Sequence, residues 1–328
     1  MTVSVNPLGC SPRALQALNS MSTADVSTYP DQKRLLSSLA VRYDMRPDMI
    51  LLGIGSEQLI KLVCQTFLKR QDTAFVESGS FFLFSREPKI LGARVVFFDF
   101  NNAKRFRKRP TLLFLANPTT PAGINRTNEE ILQVIDLVNP MIAVVDEANG
   151  EFRNGSLISD IRKRRNLVVL RTFSKTLGLA GLRIGMAFGN SDVISRMGEL
   201  QQPFPVTSAA LAAAEAALDD ISFTRKTIRF VKAERAFLTK ELITRGFSVS
   251  PSVTNNLFIS GKNIKKVICE LENRGVSVID GAYFPGNTQP GFRISLRDRR
   301  TNRKFLSKVD EVLACMGQNK LIGSKEIL

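Results

Sequence analysis

Histidine is missing altogether from the 328 residues of this chain. That absence excludes histidine-ligated metal sites and every Ser-His or Cys-His nucleophile arrangement. Proton transfer here must use lysine, tyrosine, cysteine, a carboxylate or a cofactor. Cysteine is scarce: Cys10, Cys64, Cys269 and Cys315 stand apart, with no CxxC pair. This spacing gives neither a disulfide framework nor a zinc site, and reads as reduced thiols in a cytosolic compartment. Residues 1–20 lack a charged stretch followed by an apolar one, so no secretory signal is read there. No apolar run approaches the roughly 20 residues that span a bilayer. A soluble, cytoplasmic protein with no membrane partner is expected. Acidic residues are also short, with 30 Asp+Glu against 46 Lys+Arg and a formal charge of +16.

What is present reads as α/β. Short apolar runs at 50–53, 73–76, 93–98, 111–116, 142–145 and 167–170 show no alternation, as strands covered on both faces do. Helical patterns such as 57–68 and 128–138 intervene, which predicts a mainly parallel sheet. Beyond about Pro205 the character changes. An alanine-rich stretch at 208–218 and an amphipathic pattern at 223–245 precede strand-like runs at 248–259, 276–279 and 292–296. The predicted division is an N-terminal segment, 1–25, packing with the small domain, a large α/β domain at 26–215, and a small α+β domain at 216–328.

The most informative stretch is Val168-Val169-Leu170-Arg171-Thr172-Phe173-Ser174-Lys175, followed by Thr176-Leu177-Gly178-Leu179-Ala180-Gly181-Leu182-Arg183-Ile184-Gly185. A strand delivers Ser174 and Lys175 into a turn, and a glycine-rich run follows. A lysine at such a strand end can be desolvated, which lowers its pKa and makes the amine a nucleophile. Thr172, Ser174 and Arg183 can converge on a phosphate.

This stretch resembles the lysine motif of the class I/II, fold-type I aminotransferases that depend on pyridoxal 5'-phosphate (PLP). Other landmarks follow in that family's order. Gly53-Ile54-Gly55-Ser56-Glu57 resembles its phosphate-binding turn at a helix start. Asn117-Pro118-Thr119-Thr120-Pro121-Ala122-Gly123 resembles the N-P-x-x-P-T-G loop, and Asp146-Glu147-Ala148 the D-E-A segment. Gly291-Phe292-Arg293-Ile294-Ser295 resembles the R-I-S/T segment. At the start, Asn6-Pro7-Leu8-Gly9-Cys10-Ser11-Pro12 and Tyr29-Pro30-Asp31 resemble segments of histidinol-phosphate aminotransferases and of the related threonine-phosphate decarboxylases.

The resemblance implies a large mostly parallel-sheet domain, a smaller α+β domain and PLP as electron sink. It implies that Lys175 forms the resting Schiff base and then carries the Cα proton, while Asp146 pairs with the pyridinium nitrogen. Asn117 and Asn149 would face the cofactor 3′-oxygen, and Phe81 would stack on its ring. Ser56, Glu57 through its amide, Thr172, Ser174 and Arg183 would hold the phosphate side. Arg293 and Asn6 would bind substrate, an amino acid or amino-alcohol phosphate exchanging its amino group with a 2-oxo acid. Tyr29 would reach the cofactor phosphate of a neighbouring subunit in a homodimer.

Departures from the pattern keep two alternatives open: a decarboxylase of a phosphorylated amino acid, and a PLP-binding regulatory protein without turnover. Asn149 stands where the family has tyrosine, and Ile279 where the histidinol-phosphate group has arginine; a nearby basic residue such as Arg297 is one candidate to compensate. The basic runs at 104–109, 162–165 and 297–304 carry no nucleic-acid motif and read as solvated loops, so nucleic acid is not expected as a partner.

Overall fold

The computed structural model describes residues 1–105 and 109–322, with the side chains of 104–105 and 317–322 outside that description. Most of the basic run at 104–109 therefore lies outside the described residues. Two sheets organise the chain. The first holds β1 (Ile50–Gly53), β2 (Thr73–Glu77), β3 (Arg94–Phe98), β4 (Leu112–Ala116), β5 (Ile142–Asp146), β6 (Leu167–Thr172) and β7 (Gly185–Phe188). Their order is β1-β7-β6-β5-β4-β2-β3. Pairs β2–β3, β2–β4, β4–β5 and β5–β6 are parallel, whereas β7 runs antiparallel to both β1 and β6. The chain is α/β, with a mostly parallel sheet.

The central strands explain themselves. All five residues of β4 and all six of β6 are buried, because helices cover both faces of a parallel sheet. One core gathers Leu113, Leu115, Val145 and Val169 on one face; a second gathers Phe114, Val144, Val168 and Leu170 on the other. Each such side chain contributes about 1.5–3 kcal/mol by leaving water. Strand β7 was not expected as a strand: its four residues follow the glycine-rich run so closely that they read as its tail.

The second sheet holds β8 (Ser248–Val249), β9 (Asn256–Ser260), β10 (Ile279–Asp280) and β11 (Phe292–Ser295), in the order β10-β11-β9-β8, all antiparallel. Helices Ile221–Thr244, Ile264–Asn273 and Arg299–Ile322 accompany it, and Val231, Leu257, Val267, Ile294 and Val309 form its core. The run 248–259, read as one strand, is two. Ser252 Oγ accepts the Thr254 N–H at 3.1 Å, a local turn that competes with the ladder. At 276–279 only Ile279 pairs, since the Val276 N–H is spent on the Leu271 carbonyl at 2.9 Å at the end of a helix.

The N-terminal segment divides, which corrects the expectation that 1–25 packs with the small domain. The Ser295 N–H donates to the Met1 carbonyl at 2.9 Å and Asn255 Nδ2 to the Val5 carbonyl at 3.0 Å, so residues 1–5 lie along the second sheet. Helix Pro12–Asn19 instead buries Ala14 in the first sheet's core and packs on helix Ser208–Leu218.

Candidate active site

Parallel strands end on the same edge of a sheet, and loops beyond that edge are where α/β folds bind ligands. β2, β4, β5 and β6 all deliver their C-terminal ends there. β7, being antiparallel, starts there, with Gly185 opposite both Thr172 and Gly53. Five distant segments therefore meet: 53–57, 116–120, 146–149, 172–175 and 180–185. They line a cavity of about 580 Å³ whose other side is closed by Thr2–Val5 and by residues around β10 and β11.

Helix Gly55–Phe67 starts at this edge with no side chain capping its first turn, so its free amides present a positive end to the cavity. Close packing puts it there. A Cβ on Gly185 would fall 2.6 Å from the Ser56 nitrogen, and one on Gly55, whose φ is +70°, would fall 2.9 Å from Arg183 Nη2. Arg183, itself at φ 52°, thus lays its guanidinium across the helix start and pairs with Glu57 at 3.2 Å. Both partners are partly exposed, so this pair orients more than it stabilises. Beside them Thr172 Oγ1 donates to Ser174 Oγ at 2.9 Å, or to the Ile184 carbonyl at 3.2 Å.

Lys175 follows directly. Burial, reinforced by the positive charges of Arg293 and Arg183, lowers its pKa to about 8, while Asp146 acts in the opposite direction. Its Nζ donates to the Ser4 carbonyl at 2.9 Å. Burial raises Asp146 to about 6, offset by the Ala148 N–H that its carboxylate accepts at 2.8 Å and by Lys175. The next residue, Glu147, is fully buried and faces away from the cavity. It accepts Ser156 Oγ at 2.6 Å and the Leu157 N–H at 2.8 Å, and pairs with Arg153 and Arg171, each at 3.4 Å. Arg171 also pairs with Glu151 at 3.0 Å. This ionic cluster ties the ends of β5 and β6 together behind the residues they present.

Of the residues singled out in the sequence, Ser56, Glu57, Phe81, Asp146, Asn149, Thr172, Ser174, Lys175, Arg183 and Arg293 line the cavity. Three do not. Asn117 is fully buried, and its amide is spent on the main chain of Arg126, donating at 3.0 Å and accepting at 3.0 Å; Thr120 of the same loop faces the cavity instead. Asn6 is also consumed internally, by the Thr176 carbonyl at 2.8 Å, Thr227 Oγ1 at 3.2 Å and the Leu8 N–H at 2.9 Å. Tyr29 is 80% exposed and stacks on Phe204 with centroids 4.5 Å apart. Arg297 donates to the Val3 carbonyl at 2.9 Å and is not part of the lining.

The lining residues not singled out in the sequence include Thr120, Phe82, Asn256, Tyr283, Phe284 and Thr2–Val5. Thr120 lay in a loop already noted, so the signal was present without its geometry. The N-terminal contacts are made by carbonyls, which no side-chain pattern records.

PLP can be tested against this lining. The Asn149 Oδ1 and Arg293 Nε atoms are buried with no hydrogen-bond partner, and the first turn of helix Gly55–Phe67 has no side-chain cap. Unsatisfied groups of this kind are costly unless a ligand meets them. An amine of lowered pKa and a buried carboxylate complete a donor set that fits an aldehyde, a pyridine nitrogen and a phosphate.

The family profile for aminotransferase class I and II matches residues 1–309. The chain belongs to this family. It is a PLP-dependent aminotransferase. Among its relatives, the histidinol-phosphate aminotransferase of Roseiflexus castenholzii is 37% identical, over 94% of this chain and 87% of that one. The histidinol-phosphate aminotransferase of Sinorhizobium meliloti, solved in complex with pyridoxal-5'-phosphate, superposes with a TM-score of 0.88 at 22% identity, covering 96% of this chain and 90% of that one. The L-threonine-O-3-phosphate decarboxylase of Porphyromonas gingivalis gives 0.83 at 23% identity, covering 95% and 98%. At such identities these two structures speak for the aminotransferase's fold.

Proposed function

We propose that this aminotransferase exchanges an amino group between an α-amino donor and a 2-oxo acid, with Lys175 as nucleophile and proton carrier. The observation that carries the assignment is the Lys175 amine, held in the cavity with its pKa lowered to about 8, in a lining that also holds Asp146 and Arg293. Bound PLP supplies an electron sink for the charge released at the substrate Cα. Lys175 moves the Cα proton, and its lowered pKa makes it able to take and return one near neutral pH. Asp146 keeps a proton on the pyridine nitrogen. The amides of Ser56 and Glu57, with Thr172, Ser174 and Arg183, hold the phosphate. Phe81 faces the ring, and Asn149 with Thr120 replaces Asn117 beside the 3′-oxygen. Arg293 grips the substrate's acidic group.

The functional unit in this reading is a homodimer with shared sites, in the cytoplasm. Tyr29 supports this reading: its phenol is exposed and lies outside the lining of its own cavity. Among the described residues no helix is long and apolar enough to cross a membrane. The relatives' names offer histidinol phosphate as one donor.

The test uses purified holoenzyme. Borohydride should fix PLP covalently on wild type and not on Lys175→Ala. Amino donors should then convert the bound cofactor to its amine form. Release of CO2 without that conversion would replace the reading by the decarboxylase, and cofactor retention with neither would leave a binding protein. Mixing inactive Lys175→Ala with inactive Tyr29→Ala should restore activity through hybrid dimers; failure to restore it rejects the shared site.

A further inference from the structure

The cavity wall narrows the amino donor, an inference that rests on the transamination reading above. Among the described residues, the cations lining the cavity are Lys175, Arg183 and Arg293. Lys175 is the reacting amine and Arg183 lies across the helix start, which leaves Arg293 as the fixed cation for a substrate. Its neighbour across the ladder is Ile279, the residue paired with Arg293 between β10 and β11. Directly opposed side chains of an antiparallel pair share a face, at Cβ separations of about 4.5–5.5 Å. A cation at 279 would join Arg293 in a two-armed grip on a dianion, whereas isoleucine offers apolar surface.

That surface continues as a row of rings. Phe284 lies 5.6 Å from the Arg293 guanidinium carbon, Tyr283 packs edge-on to Phe284 with centroids 5.7 Å apart, and Phe82 packs edge-on to Tyr283 at 5.6 Å. The row runs from the second sheet to the segment after β2 and so spans the cavity between the two sheets. One carboxylate is matched by one guanidinium. A phosphate monoester carries about −1.5 to −2 at pH 7, and against these rings its second charge would be desolvated without a partner.

We infer that the amino donor is an amino acid whose single anionic group is its α-carboxylate and whose side chain is an uncharged aromatic or large aliphatic one. Its carboxylate sits on Arg293 and its side chain against Phe82, Ile279, Tyr283 and Phe284. The wall thus selects against phosphorylated and dicarboxylic donors.

The experiment follows the donor half-reaction of the holoenzyme by absorbance, with phenylalanine, leucine, alanine, aspartate and histidinol phosphate as probes. Phenylalanine or leucine should exceed aspartate and histidinol phosphate by roughly tenfold or more in second-order rate, the scale of discrimination that apolar pockets reach. Preference for histidinol phosphate or aspartate overturns the inference while leaving transamination standing. Failure of every donor on cofactor-loaded protein removes the transamination reading, and this inference with it. Ile279→Arg should shift the ratio of histidinol phosphate to phenylalanine by about tenfold toward the phosphate. Tyr283 is 54% exposed, so Tyr283→Ala tests the wall without threatening the fold. It should lower the preference for phenylalanine over alanine severalfold. An unchanged ratio in either variant overturns the assigned role of the residue replaced.

Discussion

The two sides of the cavity are built in opposite ways. The side assigned to the cofactor consists of strand ends from a single sheet, each a short polar stretch at the end of a buried apolar run: Asp146 closing β5, Thr172 closing β6 with Lys175 beyond it, and Ser56 after β1. The side assigned to the substrate is assembled from segments almost a chain length apart, Thr2–Val5 and Ile279–Arg293, with Phe82 added from the segment after β2. One side is fixed by backbone hydrogen bonding within a buried ladder. The other is held by side-chain packing and a few main-chain carbonyls, including those of Thr2 on Arg293 and Ser4 on Lys175. A sheet edge specifies chemistry, while a junction of distant segments is free to vary what the chemistry acts on.

Mutations should separate the two sides by what they disturb. The largest effect is expected on the cofactor side: Lys175→Ala should lower turnover by about 10⁴-fold or more, as removal of a nucleophile commonly does, and should abolish borohydride fixation. Asp146→Asn should cost roughly 10²–10³ in kcat, the scale of one preorganised electrostatic partner, with little change in KM. Arg293→Ala should reverse that split, raising KM about 10–100-fold through loss of a charge-assisted hydrogen bond. Glu147→Ala removes the buried carboxylate that pairs with Arg153 and Arg171 and accepts from Ser156 and Leu157, and should destabilise the fold by about 3 kcal/mol; urea denaturation reads this directly, and an unchanged midpoint would reject the cluster's role.

The smallest effect is a pH dependence. Burial lowers Lys175 to about 8 from 10.5, so the amine is mostly protonated at pH 7 and free above 8. Covalent loading of PLP onto apoprotein should rise about tenfold per pH unit below 8 and level off above it. A rate still climbing at pH 10 would mean that the amine is not desolvated.

The same contrast explains what the sequence made legible. Continuous apolar runs such as Leu112–Ala116 announce strands buried on both faces, and polar residues directly beyond them fall on one edge once the strands are parallel. That logic reached Lys175 with Thr172 and Ser174, and the glycine-rich run beyond them reached Arg183; Asp146 came only from the resemblance of Asp146-Glu147-Ala148 to the family's segment. The same logic could not distinguish Asn117 from Thr120, because both are polar residues of one loop and only the loop's closure onto Arg126 decides which side chain is consumed. Asn6 failed for a like reason: its partners, Thr176 and Thr227, come from distant parts of the chain. The row of rings was invisible as a row, since Phe82 and Tyr283 are some two hundred residues apart and meet only when the two sheets do.

That meeting has an optical consequence. The chain contains no tryptophan and only three tyrosines. Tyr29 lies on the surface, Tyr43 is held near the Arg171 guanidinium, and Tyr283 lines the cavity. Ultraviolet emission excited beyond the phenylalanine band is therefore tyrosine emission, and one of its three sources stands at the substrate wall. The fold carries a reporter of occupancy built from its own residues, readable without a label and silenced selectively by Tyr283→Phe.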